Sequence, residues 1–262
     1  MKTVLAAAGY DPTGAAGVQA DLKTIAANEA DAACVVTAVT AQNSQGVQSA
    51  FHLPAETVRA QLNAVLDDAA PDAVKTGMLA SSNIVETIAE TLKRRGAPNL
   101  VIDPVLASSG GYSLLTDDGV EALLRELWPL ARVVCPNAAE AAILTGMQVE
   151  SVHDAKKAAA KLRRLGAEWV VVKGGHLTKT DKAVDLLYDG RSYVELDAPM
   201  LPGPSPRGTG CAFSSAVAAH LARGSSVLEA AGAAKAYVYG AMERAVRVGQ
   251  GAPRLRHFWK KP

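Results

Sequence analysis

A glycine-rich turn carrying a cysteine lies late in the chain, directly before an apolar stretch over residues 214–223. The turn consists of Gly208, Thr209, Gly210 and Cys211. Glycines permit a tight turn, and the first N–H groups of a following helix have no partner within that helix, so such a turn can bind an anion. Cys211 adds a thiol, whose thiolate form the positive end of the helix should favour. The turn therefore predicts an anion site with a candidate base, although a lone cysteine is often only a small buried side chain.

Further polar side chains come directly after short apolar runs that are typical of buried parallel strands. They are Asp11, Gln42, Asn43, Asp103, Asn137, Glu140, Lys173 and His176. Ligands of open α/β sheets bind beyond the carboxyl ends of the strands, so we expect these side chains to meet at one edge. Asp103 and Glu140 supply carboxylates that suit Mg²⁺, and Lys173 supplies a charge for phosphate. With the anion-binding turn, this group favours phosphoryl transfer, with Cys211 accepting the proton.

Each of these residues also has a structural explanation when it is taken alone. Asp103 precedes a proline and could be a turn residue, Asn137 could cap a helix, and His176 could be hydrogen-bonded within a loop. The functional interpretation depends on their convergence at one rim. Other site classes lack their motifs, because the chain has no GxxxxGK[ST], no GxGxxG after the first strand, no HExxH and no GxSxG.

The composition indicates a globular α/β chain without a strong overall charge. Hydrophobic residues make up 49% of the 262 residues and aromatic residues 5%, so Ala, Val and Leu must build the core. The net charge of +1 argues against binding to nucleic acid or to a membrane surface. Three widely spaced cysteines argue against disulfides and a zinc site and indicate a reducing compartment. The short N-terminal apolar run is neither a signal peptide nor a membrane span, so we expect a cytoplasmic protein.

Short apolar runs alternate with amphipathic stretches, which predicts a three-layer α/β/α fold with a central, mostly parallel sheet. Strands are predicted over residues 3–8, 34–40, 73–76, 100–103, 133–135 and 169–173, with a hairpin over 184–188 and 192–196. Helices are predicted over residues 17–30, 55–68, 83–95, 117–127, 139–145, 154–165, 211–223 and 227–246. The proline-rich residues 197–206 predict a loop, and the basic and aromatic tail over 249–262 should dock on the fold. Residues 1–262 contain no linker or repeat, so we expect a single domain.

Several motifs occur in a familiar order between about residues 3 and 245. They are GYDPTGAAGVQADLKT at 9–24, TAQN at 40–43, KTGML at 75–79, DPV at 103–105, PN at 136–137 with Glu140, VKGGH at 172–176 and GTGC at 208–211. In these motifs the chain resembles the hydroxymethylpyrimidine/phosphomethylpyrimidine kinases of thiamine biosynthesis, which have a ribokinase-like fold. The resemblance implies that ATP and Mg²⁺ are used to phosphorylate 4-amino-5-hydroxymethyl-2-methylpyrimidine and then its monophosphate. It also suggests a homodimer.

The resemblance also implies a role for individual residues. Around the pyrimidine, Gln42 would hydrogen-bond the ring, Gly9 and Asp21 would border the substrate, and Met78 and Val105 would wall the ring. Around the phosphates, the catalytic group would be Cys211, Gly208, Gly210 and Lys173, the nucleotide would contact Asn137, Lys173 and Thr209, and the metal would contact Asp103 and Glu140. Cys211 would be the base, which requires a partly ionised thiol.

The chain departs from the family pattern at a few positions. Tyr10 stands where a small serine is usual, and Arg207 stands where a histidine is usual. Ala212 and Phe213 replace the common threonine and leucine, and residues 204–206 read Pro-Ser-Pro. These departures leave two alternatives open. One is a pyridoxal kinase of the same fold, whose substrate is also a flat ring with a hydroxymethyl group, and the other is a pyrimidine-binding protein that senses and does not catalyse.

Overall fold

The computed structural model describes residues 1–96, 98–108, 110–175, 177 and 182–259. His176, which the motif analysis singled out, lies outside the described residues, as do the last three residues of the basic tail.

The described residues form a nine-stranded sheet with the order β3-β2-β1-β4-β5-β6-β7-β8-β9. Its strands are Thr3–Tyr10 (β1), Asp31–Asn43 (β2), Gly46–His52 (β3), Ala73–Thr76 (β4), Leu100–Ile102 (β5), Val133–Val134 (β6), Trp169–Val172 (β7), Lys182–Tyr188 (β8) and Tyr193–Pro199 (β9). Strands β2, β1, β4, β5, β6 and β7 are parallel, while β3, β8 and β9 pair antiparallel to their neighbours. The carboxyl ends of the six parallel strands therefore share one edge.

Helices cover both faces of the sheet. They are Gly17–Ala27 (α1), Ala55–Asp68 (α2), Ser82–Arg95 (α3), Asp117–Ala122 (α4), Ala138–Thr145 (α5), Val152–Arg163 (α6), Thr209–Ala222 (α7) and Val227–Glu243 (α8). Apolar side chains of α2, α3, α5 and α6 pack in one core, and those of α1, α7 and α8 pack in a second core on the opposite face. Alanine dominates the buried face of α7 and α8, which lets these helices approach the sheet closely. This arrangement confirms the predicted three-layer α/β/α fold.

Apart from shifts of a few residues at the ends of elements, the structure differs from the predicted elements at three places. The strand β3 was not predicted, and it pairs with β2 at the edge of the sheet. The loop predicted over 197–206 begins as strand, since β9 continues to Pro199 in its pairing with β8. The helix predicted over 117–127 leaves the α conformation after Ala122 and continues as a π turn over Leu123–Leu127.

The predicted hairpin and the docking of the tail are confirmed within the described residues. Gly190 has a φ of 99°, and the Asp189 carboxylate accepts the N–H groups of Arg191 and Ser192 at 2.7 Å. In the tail, Trp259 Nε1 donates to the Tyr237 carbonyl oxygen at 3.1 Å. Among the helices of the described residues, none has the length and apolar character needed to cross a membrane.

Candidate active site

A cavity of about 660 Å³ opens at the edge where the parallel strands end. Its walls come from the carboxyl ends of β1 and β2, from residues that follow β4, β5, β6 and β7, and from the start of α7. The predicted site residues on these walls are Gly9, Gln42, Met78, Asp103, Val105, Asn137, Glu140, Lys173, Gly208, Thr209, Gly210 and Cys211. The convergence on which the functional interpretation depends is therefore present.

Asp21 lies beneath this wall and not on it. Its carboxylate is fully buried and accepts hydrogen bonds from Lys75 Nζ at 2.8 and 2.9 Å and from Ser215 Oγ at 2.8 Å. The carboxylate thus faces a lysine on β4 and not the cavity, and its place beside the substrate stays a prediction. Burial disfavours the charge of Lys75, but Asp21, Cys211 and Asp103 outweigh it and raise the pKa of that lysine.

The loop after β1 is organised by Asp11. Its carboxylate accepts hydrogen bonds from the N–H groups of Thr13 at 2.8 Å and Ala16 at 2.9 Å, and from the Thr13 hydroxyl. These bonds satisfy a tight turn that leads into α1, and Gly17 has the left-handed φ of 60° that the turn requires. A Cβ on Gly17 would lie 2.2 Å from the Gly9 carbonyl oxygen. The loop is therefore held in one conformation on the floor of the cavity.

Helix α7 begins against this loop. Gly208 has a φ of 84°, and a Cβ there would lie 1.9 Å from the Ala15 carbonyl oxygen. The first helical hydrogen bond runs from the Ala212 N–H to the Gly208 carbonyl oxygen at 2.9 Å. The N–H groups of Thr209, Gly210 and Cys211 precede that bond and have no partner within the helix. Free N–H groups of this kind are what an anion site at the glycine-rich turn requires.

Asp103 and Lys173 lie directly against the start of α7. Lys173 Nζ donates to Asp103 Oδ1 at 2.7 Å, and Ser214 Oγ donates to Asp103 Oδ2 at 3.2 Å. A Cβ on Gly210 would come within 3.0 Å of Lys173 Nζ, so the glycine leaves room for the lysine in this position. Burial opposes the charge of Lys173, but the carboxylates of Asp103 and Glu140 outweigh it and raise the pKa of the lysine. A fixed positive charge thus faces the place where phosphate would bind.

Asn137 and Glu140 form a capping box at the start of α5. Asn137 Oδ1 accepts the Glu140 N–H at 2.9 Å, and Glu140 Oε2 accepts the Asn137 N–H at 2.7 Å. The structural explanation for Asn137 is therefore correct, although both residues also line the cavity. The pKa of Glu140 is raised to about 7. Burial is the main cause and the charge of Asp103 adds to it, while the charge of Lys173 lowers the pKa without cancelling the rise. Two carboxylates that disfavour each other's charge fit a divalent cation, which takes one or two carboxylates together with phosphate oxygens.

The Cys211 thiol lies in the cavity wall and accepts a hydrogen bond from the Gly17 N–H. Burial raises the pKa of this thiol to about 11, Asp21 and Asp103 raise it as well, and Lys75 and the Gly17 N–H only partly offset the rise. The groups of the protein itself therefore disfavour the thiolate that a base would need. The cost of removing a thiolate from water exceeds the benefit of the helix start.

The ring side of the cavity is apolar apart from one amide. A Cβ on Gly9 would lie 2.8 Å from Met78 Sδ, so the glycine leaves room for the thioether beside the strand. Val105 lies on the same wall. Gln42 lies at the end of β2, where its Oε1 accepts a hydrogen bond from Arg207 at 3.0 Å. These residues leave space for a flat ring with a polar edge.

Other residues of the wall were not predicted as site residues. They include Thr40, Leu106, Leu114, Ala139 and Ile143. Ile143 is 63% exposed on α5, and this exposure of an apolar side chain is a property of the folded structure that the sequence does not show. Leu106 and Leu114 come together because the backbone after β5 folds back, with the Leu114 N–H donating to the Leu106 carbonyl oxygen at 2.8 Å.

A parallel sheet that brings a lysine, two carboxylates and an anion-binding helix start around one cavity defines a phosphotransferase of the ribokinase-like fold. The comparisons agree with this class. The chain belongs to the phosphomethylpyrimidine kinase family, whose model matches residues 11–256.

Individual relatives cover nearly the whole chain. A hydroxymethylpyrimidine/phosphomethylpyrimidine kinase of Streptomyces coelicolor is 48% identical over 98% of this chain and 94% of its own length. The thiamine biosynthesis bifunctional protein ThiED of Geobacter sulfurreducens is 40% identical over 98% of this chain and 52% of its own length. Among solved structures, the pyridoxal kinase of Staphylococcus aureus in complex with AMP-PCP and pyridoxal superposes with a TM-score of 0.90 at 34% identity, covering 98% of this chain and 94% of that one.

Proposed function

We propose that the protein transfers the terminal phosphoryl group of ATP to the hydroxymethyl group of 4-amino-5-hydroxymethyl-2-methylpyrimidine, and then to the monophosphate, in thiamine biosynthesis. One observation carries this proposal. The anion-binding start of α7 faces the same cavity as the Gln42 amide and the Met78 thioether, so a phosphate and a ring can lie side by side. Family membership identifies the ring as a pyrimidine.

The ring would lie between Met78 and Val105, with its polar edge at Gln42. The thioether and the branched side chain exclude water from the faces of the ring, and the amide orients its edge. Gly9 keeps the strand backbone close to the ring because no side chain intervenes. This placement would present the hydroxymethyl group to the start of α7, where Cys211 lies.

The phosphates would lie at the start of α7. The N–H groups of Thr209, Gly210 and Cys211 would bind the transferred group, and Lys173 would neutralise charge that develops on its oxygens. Asn137 would contact the nucleotide from the start of α5. Mg²⁺, which supplies charge neutralisation for the phosphates when bound, would be held by Asp103 and Glu140.

Cys211 would accept the proton. As the substrate oxygen attacks the terminal phosphorus and the bond to the leaving phosphate oxygen breaks, the hydroxyl proton would move to the Cys211 thiolate. Lys75 and the Gly17 N–H favour that thiolate and burial opposes it, so the reactive form is a minor one at neutral pH.

The test is turnover of the purified protein with ATP, Mg²⁺ and either the pyrimidine alcohol or its monophosphate. We expect ADP and the phosphorylated product with both acceptors. Cys211→Ser should lose turnover and retain pyrimidine binding by calorimetry, whereas Cys34→Ser, which changes a thiol outside the cavity wall, should keep both. Absence of product with both acceptors would contradict the proposal. Full turnover by Cys211→Ser would contradict the role of Cys211, and pyrimidine binding without turnover in the wild type would indicate a sensor.

A pyridoxal kinase is the second candidate, because the superposed Staphylococcus aureus structure is a complex of that enzyme with AMP-PCP and pyridoxal. Both substrates are flat rings that bear a hydroxymethyl group. Competition between the two substrates in one assay separates the candidates. We expect the pyrimidine to have the higher kcat/KM.

The organisation of the protein is also proposed. We infer that residues 1–262 form one kinase domain around the nine-stranded sheet of the described residues. Three unpaired cysteines are consistent with a cytoplasmic protein. We propose a homodimer, for which the exposed cross-strand pair of Val39 (42%) and Phe51 (66%) at the sheet edge supplies an apolar surface. Sedimentation of Phe51→Glu as a monomer would support that surface, and an unchanged dimer would contradict it.

A further inference from the structure

Arg207 joins the ring side of the cavity to the phosphate side. Its guanidinium donates to Gln42 Oε1 at 3.0 Å and to the Asn43 carbonyl oxygen at 3.1 Å. Arg207 also directly precedes Gly208, the residue at which α7 begins. One side chain therefore links the end of β2 to the start of the anion-binding helix.

The C-terminal segment 251–253 contacts both Arg207 and Ser44, the residue that follows β2. The Arg207 N–H donates to the Pro253 carbonyl oxygen at 2.9 Å, and the Ala252 N–H donates to the Ser44 carbonyl oxygen at 3.1 Å. The Gly251 N–H donates to Ser44 Oγ at 3.0 Å. A Cβ on Gly251 would lie 2.0 Å from the Ser44 carbonyl oxygen, so the segment packs closely on the end of β2. The surrounding backbone thus holds Arg207 at a fixed distance from Gln42.

The hydrogen bond from Arg207 determines which atom of the Gln42 amide remains for a ligand. A guanidinium has donors and no acceptor, so the amide atom that it contacts must be the oxygen. Nε2 donates to none of the other residues that the structure describes. The pairing of β2 with β3 shifts register between Ala41 and Gln42, and such irregularities redirect a side chain from its regular position. Gln42 therefore offers the cavity an N–H donor.

We propose that Arg207 is a positioning residue that determines substrate specificity, because it holds Gln42 Oε1 so that Nε2 donates to a ring nitrogen of the substrate. This inference rests on the proposed function and extends it by assigning the direction of the hydrogen bond. A ring nitrogen with a free lone pair satisfies the donor. A ring edge that offers only C–H or N–H groups would leave the amide N–H unpaired, which lowers affinity.

The test compares steady-state kinetics of the wild type with those of Arg207→Ala, Arg207→Lys, Gln42→Ala, Gln42→Glu and the double alanine variant, using the pyrimidine alcohol and ATP. We expect Arg207→Ala to raise the KM for the pyrimidine about tenfold, while kcat changes less than about threefold and the KM for ATP stays constant. Arg207→Lys should recover part of the loss. The double variant should equal Gln42→Ala, because Arg207 acts through that amide.

Gln42→Glu tests the direction of the hydrogen bond. A carboxylate still accepts from Arg207 but has no N–H, so we expect a KM as high as that of Gln42→Ala. Arg191→Ala, on the exposed turn between β8 and β9, is the control for loss of an arginine and should match the wild type. Thermal unfolding of each variant tests whether it folds, and Arg207→Lys and Gln42→Glu carry the test if Arg207→Ala does not fold.

Three results would overturn the inference: an unchanged KM for Arg207→Ala, additive effects in the double variant, or a wild-type KM for Gln42→Glu. If the wild type phosphorylates the pyrimidine and any of these is seen, this inference fails and the proposed function stands. A wild type that neither binds nor phosphorylates the pyrimidine would overturn both.

Discussion

The rate at which Cys211 reacts with an alkylating reagent should rise about tenfold for each pH unit between pH 7 and pH 10, because only the thiolate reacts. The burial of Cys211 in the structure sets this pH range, because it sets the pKa of the thiol. Burial raises the pKa of the thiol to about 11, against an ordinary value of 9.0. About three thiols in ten thousand would then be ionised at pH 7.5, roughly a hundredfold fewer than for a cysteine with the ordinary pKa.

The assay is labelling with iodoacetamide over this pH range, followed by digestion and mass spectrometry of the peptide that contains Cys211. Separate peptides report on Cys34 and Cys135. Cys135 is buried and should stay unlabelled while the protein is folded. Lys75→Met should slow the labelling of Cys211, because Lys75 makes the largest contribution that lowers the pKa of this thiol. A labelling rate that reaches a plateau below about pH 9 would refute the reasoning. Equal rates in Lys75→Met and the wild type would show that Lys75 does not act on the thiol.

Ionisation of the Cys211 thiol should also affect the turnover rate. If Cys211 accepts the substrate proton, kcat should rise with pH through the range in which labelling rises, since both depend on the thiolate. A kcat that is constant from pH 7 to pH 9 with chemistry rate-limiting would assign the proton to another group.

Three further predictions concern stability and are measured by urea unfolding. Gly208→Ala should cost about 1–3 kcal/mol, because it places a Cβ in a left-handed conformation against the Ala15 carbonyl oxygen, and it should also abolish turnover. Lys75→Met should cost about 3–5 kcal/mol, because it leaves the carboxylate of Asp21 buried without its cation. The raised pKa of Glu140 means that the folded protein binds this proton more tightly than the unfolded chain, so without ligands the wild type should lose stability as the pH rises from 4.5 to about 7, and Glu140→Gln should remove that loss.

Matched controls separate these effects from the substitutions themselves. Gly232→Ala lies in α8 with no atom near the new Cβ, so it should preserve or increase stability. Lys93→Met removes an exposed pair with Glu126 and should cost less than about 1 kcal/mol. A Lys75→Met variant no less stable than Lys93→Met would contradict the argument from burial. A Glu140→Gln variant with the pH dependence of the wild type would contradict the assignment of that dependence to Glu140.

The convergence of the site could be predicted because it follows from topology. Asp103, Asn137 and Lys173 come within three residues of the ends of three neighbouring parallel strands, and the carboxyl ends of parallel strands share an edge. Only the type and order of the elements are needed for this inference. Errors of one or two residues in the ends of the strands do not change it.

Properties that depend on burial could not be predicted in the same way. The ion pair of Asp21 and Lys75 joins residues 54 positions apart, and its complete burial depends on how α1 packs on the sheet. A lysine in the short strand sequence Ala-Val-Lys-Thr of β4 was the available indication of a buried partner. For Cys211, the local rule for helix starts has the opposite sign to desolvation, and only the packed structure shows that desolvation dominates. The strand β3 was missed because its side chains are mostly exposed, which removes the alternation that marks a half-buried strand.

The residues that depart from the family pattern fall into two groups in the fold, one buried in the core and one lining the cavity. Ala212 and Phe213 belong to the buried face of α7, where they pack against apolar side chains of the core and do not line the cavity. Tyr10, Ser205, Pro206 and Arg207 instead lie on the cavity wall. The glycines, lysine and carboxylates proposed to surround the phosphates follow the family pattern, so the departures that can reach a ligand act on the ring and its orientation. Substitutions at the ring side should therefore appear mainly in the KM for the acceptor, because they change an interaction that persists from the bound substrate to the transition state, whereas substitutions at the start of α7 should appear in kcat.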